Sequence, residues 1–210
     1  MAVVHTVLFD ADGVLQAPSA ELAKRWGRYA LEGSREALAE ELFRIELPSL
    51  AGQGRIEDAV GRFVAERGLP AEAVEDILSG WASIDVFAES FALVDAVRAA
   101  GVKVHLASNQ QSFRRDVMLG LGYADHFDEL FFSCDLGVAK PSAEYFRRLL
   151  DRLGIGPEGV LFIDDRADNV AAARQVGLSA RVHARHDSPD QGIGDLVSLL
   201  REEGVMFELG

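Results

Sequence analysis

Five short apolar runs punctuate the chain: VVHTVLF (3–9), VKVHLAS (102–108), ELFFS (129–133), GVLFID (159–164) and SARVHA (179–184). Four of the five are nearly continuous in apolar character, the pattern of parallel strands covered on both faces. Between them lie SFALVDAVRAAG, SFRRDVMLGLG, PSAEYFRRLLDRLG and DNVAAARQVG, each with Ser or Asp near its start and Gly at its end, as capped helices have. Strand and helix alternating in this way predict an α/β fold: a three-layer, doubly wound (Rossmann-like) parallel sheet.

The interval from Leu15 to Ile84 breaks the alternation. It contains no convincing strand and reads as four short helices near 19–31, 34–46, 56–67 and 71–81, joined by turns containing Gly and Pro. About seventy helical residues are more than an ordinary crossover needs. The pattern therefore predicts a helical cap inserted at 15–84, with 1–14 and 85–210 forming the core. Trp26 and Trp81 fall on the predicted insert helices and read as packing residues.

Composition narrows the partners. The 210 residues are 49% hydrophobic, enough for one core and a small insert. Asp and Glu number 34 against 21 Lys and Arg, and the formal net charge of −13 disfavours nucleic acid and anionic membrane. A small anion could still bind where a local cation reverses the field. The lone Cys134 excludes an internal disulfide and fits a reducing compartment. The N-terminal apolar run is interrupted by His5 and lacks the features of a signal peptide, and no stretch approaches the ~20 apolar residues of a membrane helix. A soluble cytoplasmic protein is expected.

Ligands of open α/β sheets bind beyond the carboxyl ends of the strands, so the residues just after each apolar run carry the chemistry. They are Asp10, Asp12 and Gly13 after the first run, Ser108 and Asn109 after the second, Lys140 and Pro141 past the third, and Asp164, Asp165, Asp168 and Asn169 after the fourth. Such a convergence of carboxylates with one lysine and one hydroxyl suits a hard, oxygen-seeking cation such as Mg2+. Asp10 and Asp12 stand one residue apart, and their repulsion must be relieved by positive charge and by an unequal division of protons, one carboxylate charged and the other able to carry a hydrogen.

The ordered set DADGV (10–14), SN (108–109), KP (140–141) and IDDRADN (163–169), with the helical insert just after the first motif, resembles the haloacid dehalogenase-like superfamily over nearly the whole chain. The resemblance implies a phosphomonoester hydrolase of the capped phosphatase branch, dependent on Mg2+ and acting on a small phosphorylated metabolite such as a sugar phosphate or nucleotide. Asp10 would be the nucleophile and a metal ligand, and Asp12 the general acid/base, lending its backbone carbonyl to the metal. Lys140, Ser108 and Asn109 would bind the phosphoryl group. Asp165 would bind the metal directly, with Asp164 as a direct, water-mediated or outer partner and Asn169 behind it. The loop AGQGRIED, with Gly54 and Arg55, would approach the site from the cap.

Other readings share parts of this pattern. A 2-haloacid dehalogenase would use the same aspartate without metal, but characteristically has Tyr at the position of Asp12. A β-phosphoglucomutase-type phosphomutase would carry the same motifs. A phosphorylatable signalling module has its acidic pair on the first strand and its acceptor on the third, the reverse of the order here. Asp168 reads as a helix cap. The five histidines show no metal-ligand spacing with one another or with Cys134 and read as core or surface residues.

Overall fold

The computed structural model describes residues 3–30, 34–187 and 193–209. Its central sheet consists of β1 (Thr6–Phe9), β4 (Lys103–Ser108), β5 (Glu129–Phe132), β6 (Val160–Asp164) and β7 (Ser179–Val182), all parallel, in the order β5-β4-β1-β6-β7. The inner apolar runs become strands because each buries both faces, whereas the edge strand β7 buries only Ala180. Along β1, Val7 and Phe9 enter one hydrophobic cluster while Leu8 enters the other, and β6 divides Leu161 and Ile163 from Val160 and Phe162 in the same way. Helices α5 (Ser90–Ala99) and α11 (Gly194–Glu202) pack into the first cluster. Helices α9 (Ala143–Leu153) and α10 (Ala167–Gln175) pack into the second, which gives the three layers the alternation predicts.

Between β1 and α5 lie helices α1 (Ala20–Trp26), α2 (Arg35–Leu50), α3 (Ile56–Glu66) and α4 (Ala73–Ala82), around an apolar cluster of their own that includes Trp26, Leu42, Val60, Ile77 and Trp81. The two indoles meet edge to face with ring centroids 4.8 Å apart. One expectation fails at the base of this insert. Residues Gln16–Pro18 (β2) and Ile84–Val86 (β3) pair as a short antiparallel ribbon where the chain leaves and re-enters the core. Three residues on each side are too few for a period-2 pattern, and Pro18, which lacks a backbone donor, argues against a strand when read by itself.

The remaining helices are short connectors or site supports: α6 (Ser112–Gly120), α7 (Tyr123–His126) and α8 (Ser133–Leu136). No described helix is long and apolar enough to cross a membrane.

Gly80 lies inside α4 at the closest approach to Trp26, whose Nε1 donates to the carbonyl of Ile77 at 3.0 Å. A Cβ at Gly80 would collide with that indole. Gly80→Ala should therefore lower the melting temperature, because an overpacking cost of ~1–3 kcal/mol exceeds the ~1 kcal/mol gain in helix propensity. A rise in melting temperature would show that the insert accommodates the methyl group.

Candidate active site

Parallel pairing sets the ends of β1, β4 and β6 side by side, and the buried ammonium of Lys140 arrives between them from the loop after α8. Its Nζ lies 2.9 Å from Asp10 Oδ1 and 2.6 Å from Asp164 Oδ2, and donates to the carbonyl of Ala107 at 2.7 Å. Three acceptors thus meet the three protons of the ammonium. The backbone of Lys140 is clamped in turn by Asn109, whose Nδ2 donates to the Lys140 carbonyl at 2.8 Å and whose Oδ1 accepts from its N–H at 2.9 Å. Asn109 thus uses its Oδ1 and one Nδ2 hydrogen to hold the Lys140 backbone, and the second Nδ2 hydrogen is left over.

Asp164 is fully buried and saturated. Besides Lys140 it accepts from the backbone N–H of Arg166 at 2.8 Å and from Asn169 Nδ2 at 3.0 Å on each oxygen. Asn169 thus stands behind the acidic pair, as expected. Asp168, in the first turn of α10, pairs with Arg166 on the surface at 2.8 Å, and its Oδ1 accepts from the Asn169 N–H at 3.0 Å. Asp165 points to the other side of the chain, where Arg185 Nη1 reaches its Oδ2 at 2.6 Å. Gly13, at φ +84°, passes so close that a Cβ there would sit 2.7 Å from the same oxygen.

Asp10, Asp164 and Asp165 each offer an oxygen within 4.8 Å of the others. With only Lys140 and the half-exposed Arg185 against them, this cluster carries more negative than positive charge. Burial pushes the Asp10 carboxyl up to about 7 against the pull of Lys140, and Asp164 adds to the rise. Burial also raises Asp165, opposed by its bond to Arg185. An all-oxygen donor set with uncompensated charge fits a hard divalent cation such as Mg2+.

Asp12 is in a different environment. Arg114, in the first turn of α6, grips it with both guanidinium nitrogens, Nη1 to Oδ2 at 2.5 Å and Nη2 to Oδ1 at 2.7 Å. Gln110 Nε2 adds a bond at 2.8 Å and Gln16 Nε2 one at 3.1 Å, so each oxygen accepts two donors. Burial alone would raise Asp12, but the charge and hydrogen bonds of Arg114, joined by the two glutamines, hold it below the usual carboxylate range. Arg114 and the two glutamines thus favour the Asp12 carboxylate, while burial lifts Asp10 against the pull of Lys140. The Asp12 side chain is also fully occupied, so the backbone carbonyl is all that Asp12 has left for a metal.

Gln110 connects this pair to Ser108, since its Nε2 also donates to the buried Ser108 hydroxyl at 3.1 Å, leaving that hydroxyl's own proton to donate elsewhere. Arg114 reaches the insert as well, with Nε on the carbonyl of Trp81 at 3.1 Å. Arg114 and Gln110 are the site residues that pattern reasoning missed; the only signal was the run NQQSFRR directly after Ser108. Arg55, in contrast, is largely exposed and pairs with Glu57 at 2.5 Å, and the structure does not bring Gly54 or Arg55 into the network around Asp10 and Asp12.

A doubly wound sheet with carboxylates and one buried lysine at the carboxyl edge defines a class of hydrolytic enzymes. The sequence profile of the haloacid dehalogenase-like hydrolases matches residues 4–177, and the chain belongs to that family. It is 27% identical over 197 residues to a phosphoserine phosphatase of Thermus thermophilus, covering 86% of this chain and 73% of that protein. It is 25% identical over 217 residues to a phosphatase of Mycobacterium tuberculosis, covering 93% and 95%. These relatives place it with the phosphatases of the family. In fold it is similar to a HAD-family enzyme of Bacteroides thetaiotaomicron, with a TM-score of 0.75 at 22% identity over 90% of this chain and 98% of the other.

The insert contributes one buried acid to the Arg114 network. Glu46 of α2 is pushed up to about 7 by burial, against the attraction of Arg114, with Asp12 adding to the rise. Because the folded pKa lies above the unfolded one near 4.5, Glu46 supports the fold below about pH 4.5, and that support is lost as pH rises through about 7. Glu46→Gln should match the parent at pH 4 and exceed it at pH 8 by up to about 3 kcal/mol in denaturant unfolding. Equal stabilities at both pH values would show that Glu46 ionises freely.

Proposed function

We propose that the protein hydrolyses the phosphomonoester of a small metabolite, a sugar phosphate or nucleotide, through a phosphoryl group carried on Asp10. The observation that supports this most directly is the contact of Lys140 Nζ with both Asp10 and Asp164, beside Asp165. A carboxylate oxygen of Asp10 attacks phosphorus in line with the ester oxygen; the P–O ester bond breaks, and the leaving oxygen takes a proton from Asp12. Water then attacks the aspartyl phosphate, gives its proton to Asp12 and releases inorganic phosphate with Asp10 restored.

Asp12 is ionised in the geometry described, which is the form needed for the second half of this cycle. The dianionic phosphoryl group of a bound substrate raises its proton affinity, because a nearby like charge disfavours the carboxylate. The four donors around Asp12 fix its orientation in both halves. Lys140 faces the phosphoryl oxygens with fixed positive charge, and the Ser108 hydroxyl donates to one of them. Asp10, Asp165 and the backbone carbonyl of Asp12 would hold Mg2+, with saturated Asp164 acting on Lys140 and the outer sphere. Bound there, the ion offsets the charge of carboxylates and phosphoryl group together.

The helical insert, residues 15–84, serves as the cap in this reading, with 1–14 and 85–210 as the catalytic core. Support comes from Trp81, an insert residue whose carbonyl accepts from the guanidinium that holds Asp12, and from Glu46, which lies within the electrostatic reach of Arg114. A metal-free dehalogenase would gain nothing from the paired Asp164 and Asp165, and Asp12 favours transfer to water or an alcohol. The phosphoserine phosphatase among the relatives supports a small phosphate ester.

Turnover of p-nitrophenyl phosphate tests the proposal. It should require Mg2+, stop with EDTA and vanish in Asp10→Asn. Asp12→Asn should retain phosphate binding and lose ~10²–10⁴ in kcat, the usual contribution of a positioned acid/base. Activity that survives both chelation and Asp10→Asn would remove the mechanism.

A further inference from the structure

The geometry points to a second metal site, independent of the phosphatase reading, formed by His183, His186 and Asp195 and suited to a divalent first-row transition metal of the Zn2+ and Co2+ class. His183 follows β7, His186 lies three residues on, and Asp195 sits in the first turn of α11. Asp195 Oδ2 is 3.2 Å from His183 Nε2 and 3.1 Å from His186 Nε2, and the imidazoles stand with centroids 4.7 Å apart at 66°. A ligand atom from each of the three residues lies within 4.8 Å of the others. Around a tetrahedral ion with bonds of ~2.0–2.1 Å, neighbouring donors stand about 3.3 Å apart, close to these spacings.

The second observation is unmet polarity. Both histidines are buried, at 2% and 5% exposure, yet neither nitrogen of His183 makes a hydrogen bond, and His186 Nδ1 has none either. His183 Nε2 stands at ion-pair distance, 3.2 Å, from Asp195 Oδ2 but off the geometry of a good hydrogen bond, and the same oxygen also meets His186 Nε2 at 3.1 Å. A buried polar atom without a partner is costly, and a metal ion shared with the carboxylate would satisfy it. Two imidazoles and one carboxylate select borderline ions such as Zn2+ and Co2+ over Mg2+, which the all-carboxylate cluster prefers. The half-exposed Asp195 leaves an outer position to water.

The site lies against the active site. The His186 N–H donates to the carbonyl of Gly13 at 3.0 Å, the His183 N–H to that of Asp164 at 2.9 Å, and Arg185 between them holds Asp165. A metal here would pin α11 to the segment that fixes Arg185.

The test uses chelator-stripped full-length protein in saturating Mg2+, titrated with ZnCl2 and CoCl2 and followed by calorimetry and by visible absorption of Co2+. One equivalent should bind, with the d–d bands of a nitrogen- and oxygen-ligated ion. Asp195→Ala and His186→Ala should weaken binding by ~100-fold or more, at or beyond the upper end of the ~10–100-fold seen for lost outer-shell partners. Asp195 is exposed enough that its variant keeps the test decisive if His186→Ala does not fold. The double variant Asp10→Asn, Asp165→Asn should bind as the parent does. No binding, equal binding in Asp195→Ala, or binding lost only in the double variant would overturn the proposal.

Discussion

The fold exists around one electrostatic problem, the burial of Asp10 and Asp164 about the ammonium of Lys140. Isolated charges cannot enter an apolar sheet edge without several kcal/mol of desolvation, so the trio persists because Lys140 and Asp164 are bonded on every side and Asp10 shares the ammonium. Lys140 places its three protons on Asp10, Asp164 and Ala107, while Asn169 and the Arg166 N–H complete Asp164. That demand explains the topology near the site. Parallel β1, β4 and β6 supply two carboxylates and a carbonyl at one level, and Asn109 sets the register of the loop that delivers the lysine.

The same economy joins the helical insert to the core. Arg114 carries a buried charge that Asp12 neutralises, while its Nε is satisfied only by the carbonyl of Trp81 on α4. A displacement of α4 would strip that donor and expose the ion pair to water. The position of the insert and the protonation of Asp12 are therefore linked through one guanidinium. Such coupling needs no long pathway, since a single side chain touches both parts.

What could be read from the sequence was whatever had a local cause. Four of the five strands were legible because nearly continuous apolar runs admit little else, and Asp10, Ser108 and Asp164 were legible because they end those runs. Arg114 was hidden because an Arg-Arg pair opening an amphipathic helix looks solvent-facing, and its partner is 102 positions away. His183 and His186 looked unrelated to any ligand because the third member, Asp195, belongs to a separate helix that only the fold brings near. The clamp that Asn109 places on the Lys140 backbone was hidden for a similar reason, since its partner is 31 positions away.

The closeness of Asp10 and Asp12 finds its explanation in separate counter-ions. A single cation between them would have to divide its field, leaving both carboxylates partly uncompensated. Instead Asp10 faces Lys140 from the loop after α8, and Asp12 turns away to Arg114 on α6. Directly after the two acids the chain turns at Gly13, whose φ of +84° is open to glycine at little cost and whose missing Cβ leaves room for Asp165. One residue without a side chain thus lets a third acid close in. This creates an excess of negative charge beside Asp10, but not beside Asp12, and a divalent cation would relieve that excess.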